Sequence, residues 1–213
     1  MPGHAAALLF ALAALSAAAP ACAASLLLSF GGYGAIAQDH GDSALADLSY
    51  RAIGPGQGDL PAAGLLYGWE AGFGGLAGAV WADCAPCGGE IRIAARDPAH
   101  LVVLERFDAA GWARDEPLDW RVYDLGWGLL GQGSGTAPDS GHARIAPGIS
   151  ATGGLILQWG ADAYDVGLQD LAYRVDAVLP LPVPALLLPA ALAALALATP
   201  IPARHRRRWR CAD

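Results

Sequence analysis

The sequence predicts an all-β fold in which two antiparallel sheets form a sandwich over residues 25–178. Three observations support this prediction. Short apolar or alternating runs recur along the region, turn-forming residues separate them, and no segment of it keeps a helical period. About ten runs spaced by turns are typical of a sandwich of the jelly-roll type. The region has the length of one domain and is long enough to bury a core.

Alternation of polar and apolar residues justifies the individual strands. Residues 90–94 read Glu-Ile-Arg-Ile-Ala and residues 119–123 read Asp-Trp-Arg-Val-Tyr, so every second side chain can face a core. In chain order, the predicted strands cover residues 25–30, 44–53, 65–69, 78–82, 90–95, 100–107, 119–124, 143–146, 154–159 and 164–178.

Residues 1–24 have the features of a secretory signal peptide. Residues 5–19 are apolar and contain no acidic side chain, and small residues follow Pro20. We expect a signal peptidase to cut after Ala23 or Ala24. An alternative is a lipoprotein signal, in which the cut precedes Cys22 and its thiol carries lipid.

Residues 179–213 have the features of a membrane-targeting tail. An apolar run over residues 185–201 approaches the ~20 residues that cross a bilayer core. It is preceded by a Pro-rich motif that contains Val178, Pro180, Leu181, Pro182 and Pro184. It is followed by a basic stop formed by Arg204, Arg206, Arg207, Arg208 and Arg210. Because positive residues beside a span stay in the cytoplasm, we expect a transmembrane helix in the inner membrane with its C-terminus inside.

This three-part tail resembles the PEP-CTERM class of bacterial sorting signals, in its Val-Pro-Leu-Pro-Ala (VPLPA-CTERM) variant. The resemblance implies that an exosortase-like membrane protease cleaves near residues 180–184 and releases the protein to the cell surface or the medium. It also implies a role in biofilm or in extracellular polysaccharide. A simple C-terminal membrane anchor is the alternative, because it too would have an apolar run and a basic stop.

Two further segments carry looser resemblances. Residues 94–112, which end in Phe-Asp-Ala-Ala-Gly-Trp, are similar to a segment common in exported PEP-CTERM proteins. Residues 164–175 resemble the last strand of galactose-binding-like jelly rolls. From the residues alone, we expect Phe107 and Trp112 to be buried on the two sides of a loop. Asp108 would close that loop through bonds to backbone N–H groups.

Charge and aromatic content limit the classes of ligand that the central domain can be expected to bind. It carries nineteen acidic side chains against eight arginines, which disfavours nucleic-acid binding. The chain has seven Trp and six Tyr. The aromatic rings can be explained by packing alone, but an exposed ring can also stack on a sugar while carboxylates bind its hydroxyls, so extracellular polysaccharide is the candidate ligand. Trp69, Trp112 and Trp127 lie beside Gly-rich loops and are the candidate contacts.

Cys84 and Cys87 form a C-x-x-C motif that could be structural or catalytic. The sequence that follows reads as a turn and a strand, so no helix lowers a thiol pKa as it does in thioredoxin-like sites. In an oxidising compartment, we expect a structural disulfide that closes a hairpin loop.

We expect no cofactor, although calcium has two candidate loops. Asp39 with Asp42, and Asp162 with Asp165, place carboxylates at short spacing, as hard cations require. Neither loop has the twelve-residue pattern of a helix-loop-helix calcium site. Other metals have no candidate site, because His40, His100 and His142 have no metal-ligand spacing.

The sequence identifies no catalytic residues. A glycosidase acid/base pair could come from Asp115 or Glu116 with Asp119, or from Glu105 with Asp108, but acidic β-proteins commonly contain such neighbours. Ser134 lacks the strand-turn-helix context of a nucleophile. We therefore predict an exported, non-enzymatic surface or matrix protein. The alternatives are an anchored structural or adhesin domain and a polysaccharide-active hydrolase.

Overall fold

A computed structural model describes residues 25–160 and 162–177 of the chain. Within them the secondary structure is strand and turn, without a helix, and so no helix there could cross a membrane. The all-β prediction is confirmed. The strands are β1 (Ser25–Leu28), β2 (Gly34–Ala35), β3 (Ala46–Ile53), β4 (Ala62–Gly64), β5 (Leu66–Trp69), β6 (Ala79–Ala82), β7 (Gly88–Ala95), β8 (Leu101–Gly111), β9 (Glu116–Asp124), β10 (Leu129–Ala137), β11 (Ala143–Ile145), β12 (Ile149–Thr152), β13 (Gly154–Trp159) and β14 (Val166–Asp176).

These strands form two antiparallel sheets. The eight-stranded sheet runs in the order β11-β8-β14-β6-β5-β2, with β1 also paired to β14 and β12 also paired to β8. The six-stranded sheet runs β10-β9-β13-β7-β3-β4. Every pairing between the described strands is antiparallel. The predicted two-sheet arrangement is therefore confirmed.

One apolar core contains side chains from both sheets. Strands such as β3 and β7 place every second side chain in it, as the pleat requires. At about 25 cal/mol per Å² of buried apolar surface, such a core is the main stabilising term of a sandwich. Its large members include Phe30, Tyr50, Ile91, Ile93, Leu104, Phe107, Leu155, Leu157, Trp159, Leu168 and Tyr173.

Each of the ten predicted strand segments overlaps a strand of the structure, but β2, β4, β10 and β12 were not predicted. The nine-residue β10 was missed because its glycines at 131, 133 and 135 suggest a loop. Two of these glycines make room for neighbouring side chains. A Cβ on Gly131 would lie 2.5 Å from Ile149 Cδ1, and one on Gly133 would lie 2.6 Å from the Trp120 ring. The glycines therefore allow close packing in a strand whose pairing with β9 shifts register between Leu129 and Gly131.

The cysteine pair has the predicted bond but a different position in the fold. The Cys84 and Cys87 sulfurs are 2.05 Å apart, as in a disulfide. The hairpin expectation was wrong, because the preceding strand β6 belongs to the eight-stranded sheet and the following strand β7 belongs to the six-stranded sheet. The disulfide therefore lies in a connection between the two sheets.

The expected loop at residues 107–112 is also corrected. Residues 107–111 belong to β8, which pairs with β14 on one side and with β11 on the other. The strand ladders use the backbone N–H groups there, so Asp108 does not close a turn. Its buried carboxylate instead accepts two hydrogen bonds from Arg144, at 2.9 and 2.8 Å. Phe107 is buried as expected, whereas Trp112 is 41% exposed.

Close packing against Trp120 leads to a stability prediction. In Gly133→Ala, the new Cβ would meet the Trp120 ring, which packs against the core. We expect the free energy of unfolding to fall by about 1–3 kcal/mol, as for other overpacked sites. Denaturant unfolding would measure this change.

Gly135→Ala is the matched control, two residues along β10 on the same face of the strand. A Cβ there meets nothing within 4 Å, so the change in stability should stay within about 0.5 kcal/mol. Equal losses of stability in the two variants would mean that β10 requires glycine for its backbone conformation and not to make room for Trp120.

Candidate functional site

The outer face of the eight-stranded sheet carries a cluster of aromatic side chains. In β5 and β6, Leu66, Val80 and Ala82 point into the core. Alternation along the strands therefore places Tyr67, Trp69 and Trp81 on the opposite face. Loop residues and strand ends bring further rings beside them. The aromatic cluster consists of Tyr33, Tyr67, Trp69, Phe73, Trp81, Trp112 and Tyr164.

The rings of this cluster contact one another mainly edge to face. Ring centroids lie 5.5 Å apart for Trp69 and Trp112, 5.0 Å for Phe73 and Trp112, and 5.2 Å for Trp81 and Tyr164. In each pair the rings are strongly inclined, by 63–80°. This geometry is the favourable one for aromatic quadrupoles and stabilises the pairs beyond their buried area. The rings therefore support one another in a fixed arrangement.

The aromatic cluster encloses a shallow cavity of about 130 Å³. Its lining residues are Trp69, Phe73, Trp81, Trp112 and Tyr164. Trp112 and Tyr164 are each 41% exposed and form the accessible part of the wall. Trp81 Nε1 is buried and has no hydrogen-bond partner among the described residues. The cavity thus has apolar ring surfaces, and an unsatisfied donor lies in its wall.

Small residues and a second apolar layer hold these rings in place. Phe73, Leu76, Ala79 and Ala110 form a small core on this side of the sheet, and Trp69 and Trp81 pack against it. Gly72 has φ +110°, and a Cβ there would come within 2.6 Å of the Trp112 ring. Glycine at this tight turn before Phe73 therefore leaves room for the Trp112 ring.

The backbone of an acidic residue, Asp165, lies next to the aromatic cluster. The Trp112 backbone N–H donates to the Asp165 carbonyl at 3.0 Å, and Asp165 follows Tyr164 directly in the chain. Burial raises the pKa of the Asp165 carboxyl above its usual range, and the nearby Asp162 and Glu116 carboxylates raise it further. Carboxylates accept hydrogen bonds from hydroxyl groups, so this edge can bind a polar ligand beside the rings.

The structure brings together two of the three predicted aromatic contacts. Trp69 and Trp112 both line the cavity, although 43 positions separate them in sequence. Trp127 lies on the six-stranded sheet, in a second cavity of about 290 Å³ with polar walls. Sequence reasoning missed Phe73, Trp81 and Tyr164. The alternation of Trp81 with core residues in a predicted strand was a usable signal, whereas Phe73 and Tyr164 lie in loops that have no periodic pattern.

The candidate calcium loops use carboxylates in local backbone contacts. Asp42 Oδ1 accepts a hydrogen bond from the Leu48 N–H at 2.6 Å, and Asp162 Oδ1 accepts one from the Tyr164 N–H at 3.1 Å. Among the described residues, no three His, Cys, Asp or Glu side chains are grouped so that they could hold a metal ion. Neither pair of aspartates is therefore part of a larger set of ligands there.

The carboxylates considered for hydrolysis are separated in the fold. Glu105 pairs with Arg174, whereas Asp108 pairs with Arg144. Hydrogen bonds from Ser25 and Arg174 lower the pKa of Glu105, and those from Arg144 lower the pKa of Asp108. Neither carboxyl thus has the raised pKa that a general acid requires near neutral pH.

The other candidate acid/base pair, Asp115 or Glu116 with Asp119, also lacks the required geometry. Asp119 and Glu116 lie three residues apart in β9, so their side chains leave opposite faces of the strand. Asp115 accepts a hydrogen bond from the Asp139 N–H at 3.1 Å. These three carboxylates therefore do not face one another across a cleft.

The predicted sorting residues lie outside the described part of the chain. They comprise the motif Val178, Pro180, Leu181, Pro182 and Pro184 and the basic stop Arg204, Arg206, Arg207, Arg208 and Arg210. The signal peptide, residues 1–24, also lies outside it.

No family model and no curated protein sequence matches this chain. Several solved structures are similar to its fold, among them the following three. The arabinose-bound α-L-arabinofuranosidase MgGH51 has 9% identity and a TM-score of 0.40, over 71% of this chain and 26% of that one. TmCBM61 in complex with β-1,4-galactotriose has 17% identity and a TM-score of 0.25, over 60% and 84% of the two chains. The family 11 carbohydrate-binding module of Clostridium thermocellum, in complex with a β-1,3-1,4-mixed-linked tetrasaccharide, has 14% identity and a TM-score of 0.29, over 72% and 96%. This chain spans about a quarter of the arabinofuranosidase, and these similarities assign it to no family.

Proposed function

We propose that this protein is exported and binds extracellular polysaccharide without acting on it, through the cavity of the aromatic cluster. The observation that carries the proposal is the wall formed by Trp69, Phe73, Trp81, Trp112 and Tyr164. Five aromatic rings around one surface cavity form an apolar site with few polar groups, as is common in ligand pockets. We further propose that the sandwich is of the jelly-roll, galactose-binding-like type.

A sugar ring matches the chemistry of this cavity better than a wholly apolar ligand does. One face of a pyranose presents C–H groups that can pack against an indole or phenol ring, while its edge carries hydroxyls. The accessible Trp112 and Tyr164 rings offer the first kind of contact. A carboxylate such as that of Asp165, the residue after Tyr164, can accept a hydrogen bond from a hydroxyl.

The route to the cell surface is a separate part of the proposal. Its support is the sequence of residues 1–24 and 179–213, which resemble a signal peptide and a VPLPA-CTERM sorting signal. Signal peptidase would remove the first segment, and an exosortase-like protease in the inner membrane would cleave the second. The product would then be a cell-surface or biofilm-matrix protein. A disulfide between Cys84 and Cys87 is compatible with an oxidising compartment.

Truncation of the exposed tryptophan tests the binding site. In Trp112→Ala, we expect the affinity for a neutral polysaccharide that the protein binds to fall at least about 30-fold, since a buried Trp contact is commonly worth 2 kcal/mol or more. The full-length chain, in a detergent without a sugar head group, would be tested by calorimetry against a panel of neutral polysaccharides.

Leu45→Ala is the matched control, because it truncates an apolar side chain of similar exposure, 42% against 41%, that lies outside the aromatic cluster. Its affinity for the neutral polysaccharide should not change, and Trp112→Phe should keep part of the binding. If no neutral polysaccharide binds, or if Trp112→Ala and Leu45→Ala bind it equally well, the aromatic cluster is not the site.

Intact mass of the protein from its native host tests the export route. We expect the mature chain to begin at Ala24 or Ser25 and to end near residues 180–184. A strain that lacks the exosortase-like protease should keep the C-terminal segment, with the protein in the inner membrane. A full C-terminus in the unmodified host would instead indicate a simple tail anchor.

A further inference from the structure

The outer face of the six-stranded sheet carries two arginines that pair with no acidic side chain in the described part of the chain. Ile91 and Ile93 on β7, and Leu118 and Val122 on β9, point into the core. Alternation therefore places Arg92 and Arg121 together on the opposite face, which we call the polar face. Antiparallel registers put one strand, β13, between them. With strands ~4.8 Å apart and two residues of offset, their Cα atoms are on the order of 12 Å apart.

The lack of partners is unusual for this domain. Of its eight arginines, those at positions 51, 96, 114, 144 and 174 form ion pairs, whereas Arg92, Arg106 and Arg121 form none with the described residues. Acidic side chains outnumber arginines by more than two to one, so partners are not scarce. Arg92 Nε is also buried without any hydrogen-bond partner among those residues. A buried, unsatisfied donor on a cation is costly unless a ligand satisfies it.

A nearby carboxylate is already neutralised. The buried Glu90 accepts two hydrogen bonds from Arg51, at 2.6 and 3.0 Å, and a third from Gln158 at 2.7 Å. Arg51 is therefore committed to Glu90, and Glu90 repels an incoming anion less than a free carboxylate would. The arginines left for a ligand on this face are Arg92 and Arg121.

Each of these arginines lines its own cavity. Arg92 lines the cavity of about 290 Å³ together with Ser49, Asp59 and Trp127. Arg121 lines one of about 320 Å³ with Asp119, Gln132 and Ser134. Between them, residues 54–61 cross the polar face as a strap. The Gln158 side chain holds the strap by donating to the Gly58 carbonyl and accepting from the Gly58 N–H, at 2.8 and 2.7 Å.

Trp127 is held over the first cavity by an unusual turn. Its φ is +69°, a conformation that is rare for a large non-glycine residue. Asp124 maintains the turn, since its Oδ1 accepts from the N–H groups of Gly126 and Gly128, both at 2.8 Å. The indole ring contacts Tyr123, with centroids 5.5 Å apart, and the Arg51 guanidinium lies 5.9 Å from its centroid. Strained backbone that neighbouring contacts maintain is frequent at binding sites.

We propose that the polar face binds an acidic polysaccharide, with Arg92 and Arg121 each pairing with the carboxylate of a uronic acid and Trp127 packing against a sugar ring. The planar guanidinium suits a carboxylate, because two parallel N–H···O bonds can form. A peptide strand is disfavoured because peptides usually add at a free sheet edge, whereas β7 and β9, the strands that carry the two arginines, already pair on both sides. The inference rests on the proposed glycan binding but concerns a different face of the sandwich.

Binding to polygalacturonate and to its methyl ester tests the charge requirement directly. The two polymers share a backbone, and esterification removes the negative charge. The full-length chain in a polyoxyethylene detergent should bind polygalacturonate at least tenfold more tightly than the ester. Arg92→Gln and Arg121→Gln should each weaken polygalacturonate binding about tenfold, as expected for a lost charge-assisted hydrogen bond. Trp127→Ala should weaken it as well.

Arg106→Gln is the matched control. It removes the same charge from an arginine that also forms no ion pair and also has a buried, unpartnered Nε, but it lies on β8 of the other sheet. Its polygalacturonate affinity should equal that of the unmodified protein. Three results would overturn the inference: no binding to polygalacturonate, equal binding of its methyl ester, or equal losses in Arg92→Gln and Arg106→Gln. Equally tight binding of polyglutamate would also overturn it, because the site would then recognise charge alone.

The outcomes separate this inference from the proposed function. Neutral polysaccharide binding that depends on Trp112, without any effect of Arg92→Gln on polygalacturonate, would remove only the acidic site. Polygalacturonate binding that depends on Arg92, without an effect of Trp112→Ala on any neutral polysaccharide, would support the acidic site and remove the aromatic one.

Discussion

Trp159 links the two sheets through the shared core, and the sandwich depends on side chains that pack between the sheets in this way. The residue lies on β13 of the six-stranded sheet and is fully buried. Its Nε1 donates to the Val166 carbonyl on β14 of the eight-stranded sheet, at 3.1 Å. Space for the ring comes from Gly89 on the neighbouring strand, where a Cβ would collide with it. The same side chain therefore fills the core, satisfies its own donor and sets the spacing of the sheets.

This shared core decides where ligands can bind. Strand pleating gives every second side chain to the core, so the remaining side chains form the two outer faces. The cavity on one outer face is lined by aromatic side chains, whereas the two cavities on the other face have mainly polar linings. The two faces differ because each combines residues from strands that are distant in sequence. The rings at 69, 81, 112 and 164 meet because β5, β6, β8 and β14 are close together in one sheet.

Ion pairs show how the fold assigns roles to charged residues that look alike in the sequence. Asp108 appeared to be a turn residue, but it lies in β8, where strands on both sides use the backbone hydrogen-bonding groups. Its buried carboxylate pairs with Arg144 instead. Arg51 and Arg92 both lie on the polar face, but only Arg51 reaches Glu90. Cross-strand register decides such pairings, because it sets which side chains stand opposite one another. A single strand contains no information about its register.

The sequence by itself determined the all-β class, the position of most strands and the disulfide pair, because period-two alternation and a C-x-x-C spacing are local properties. It also led to Trp69, Trp112 and Trp127 as candidate contacts. Only the tertiary structure decided that the first two share a cavity with Trp81 and that Trp127 lies on the other sheet. It also decided that the Gly-rich β10 is a strand, since its glycines are explained by Trp120 and Ile149. The physical reason is that strand order and packing depend on contacts between residues far apart in the chain, which local patterns do not encode.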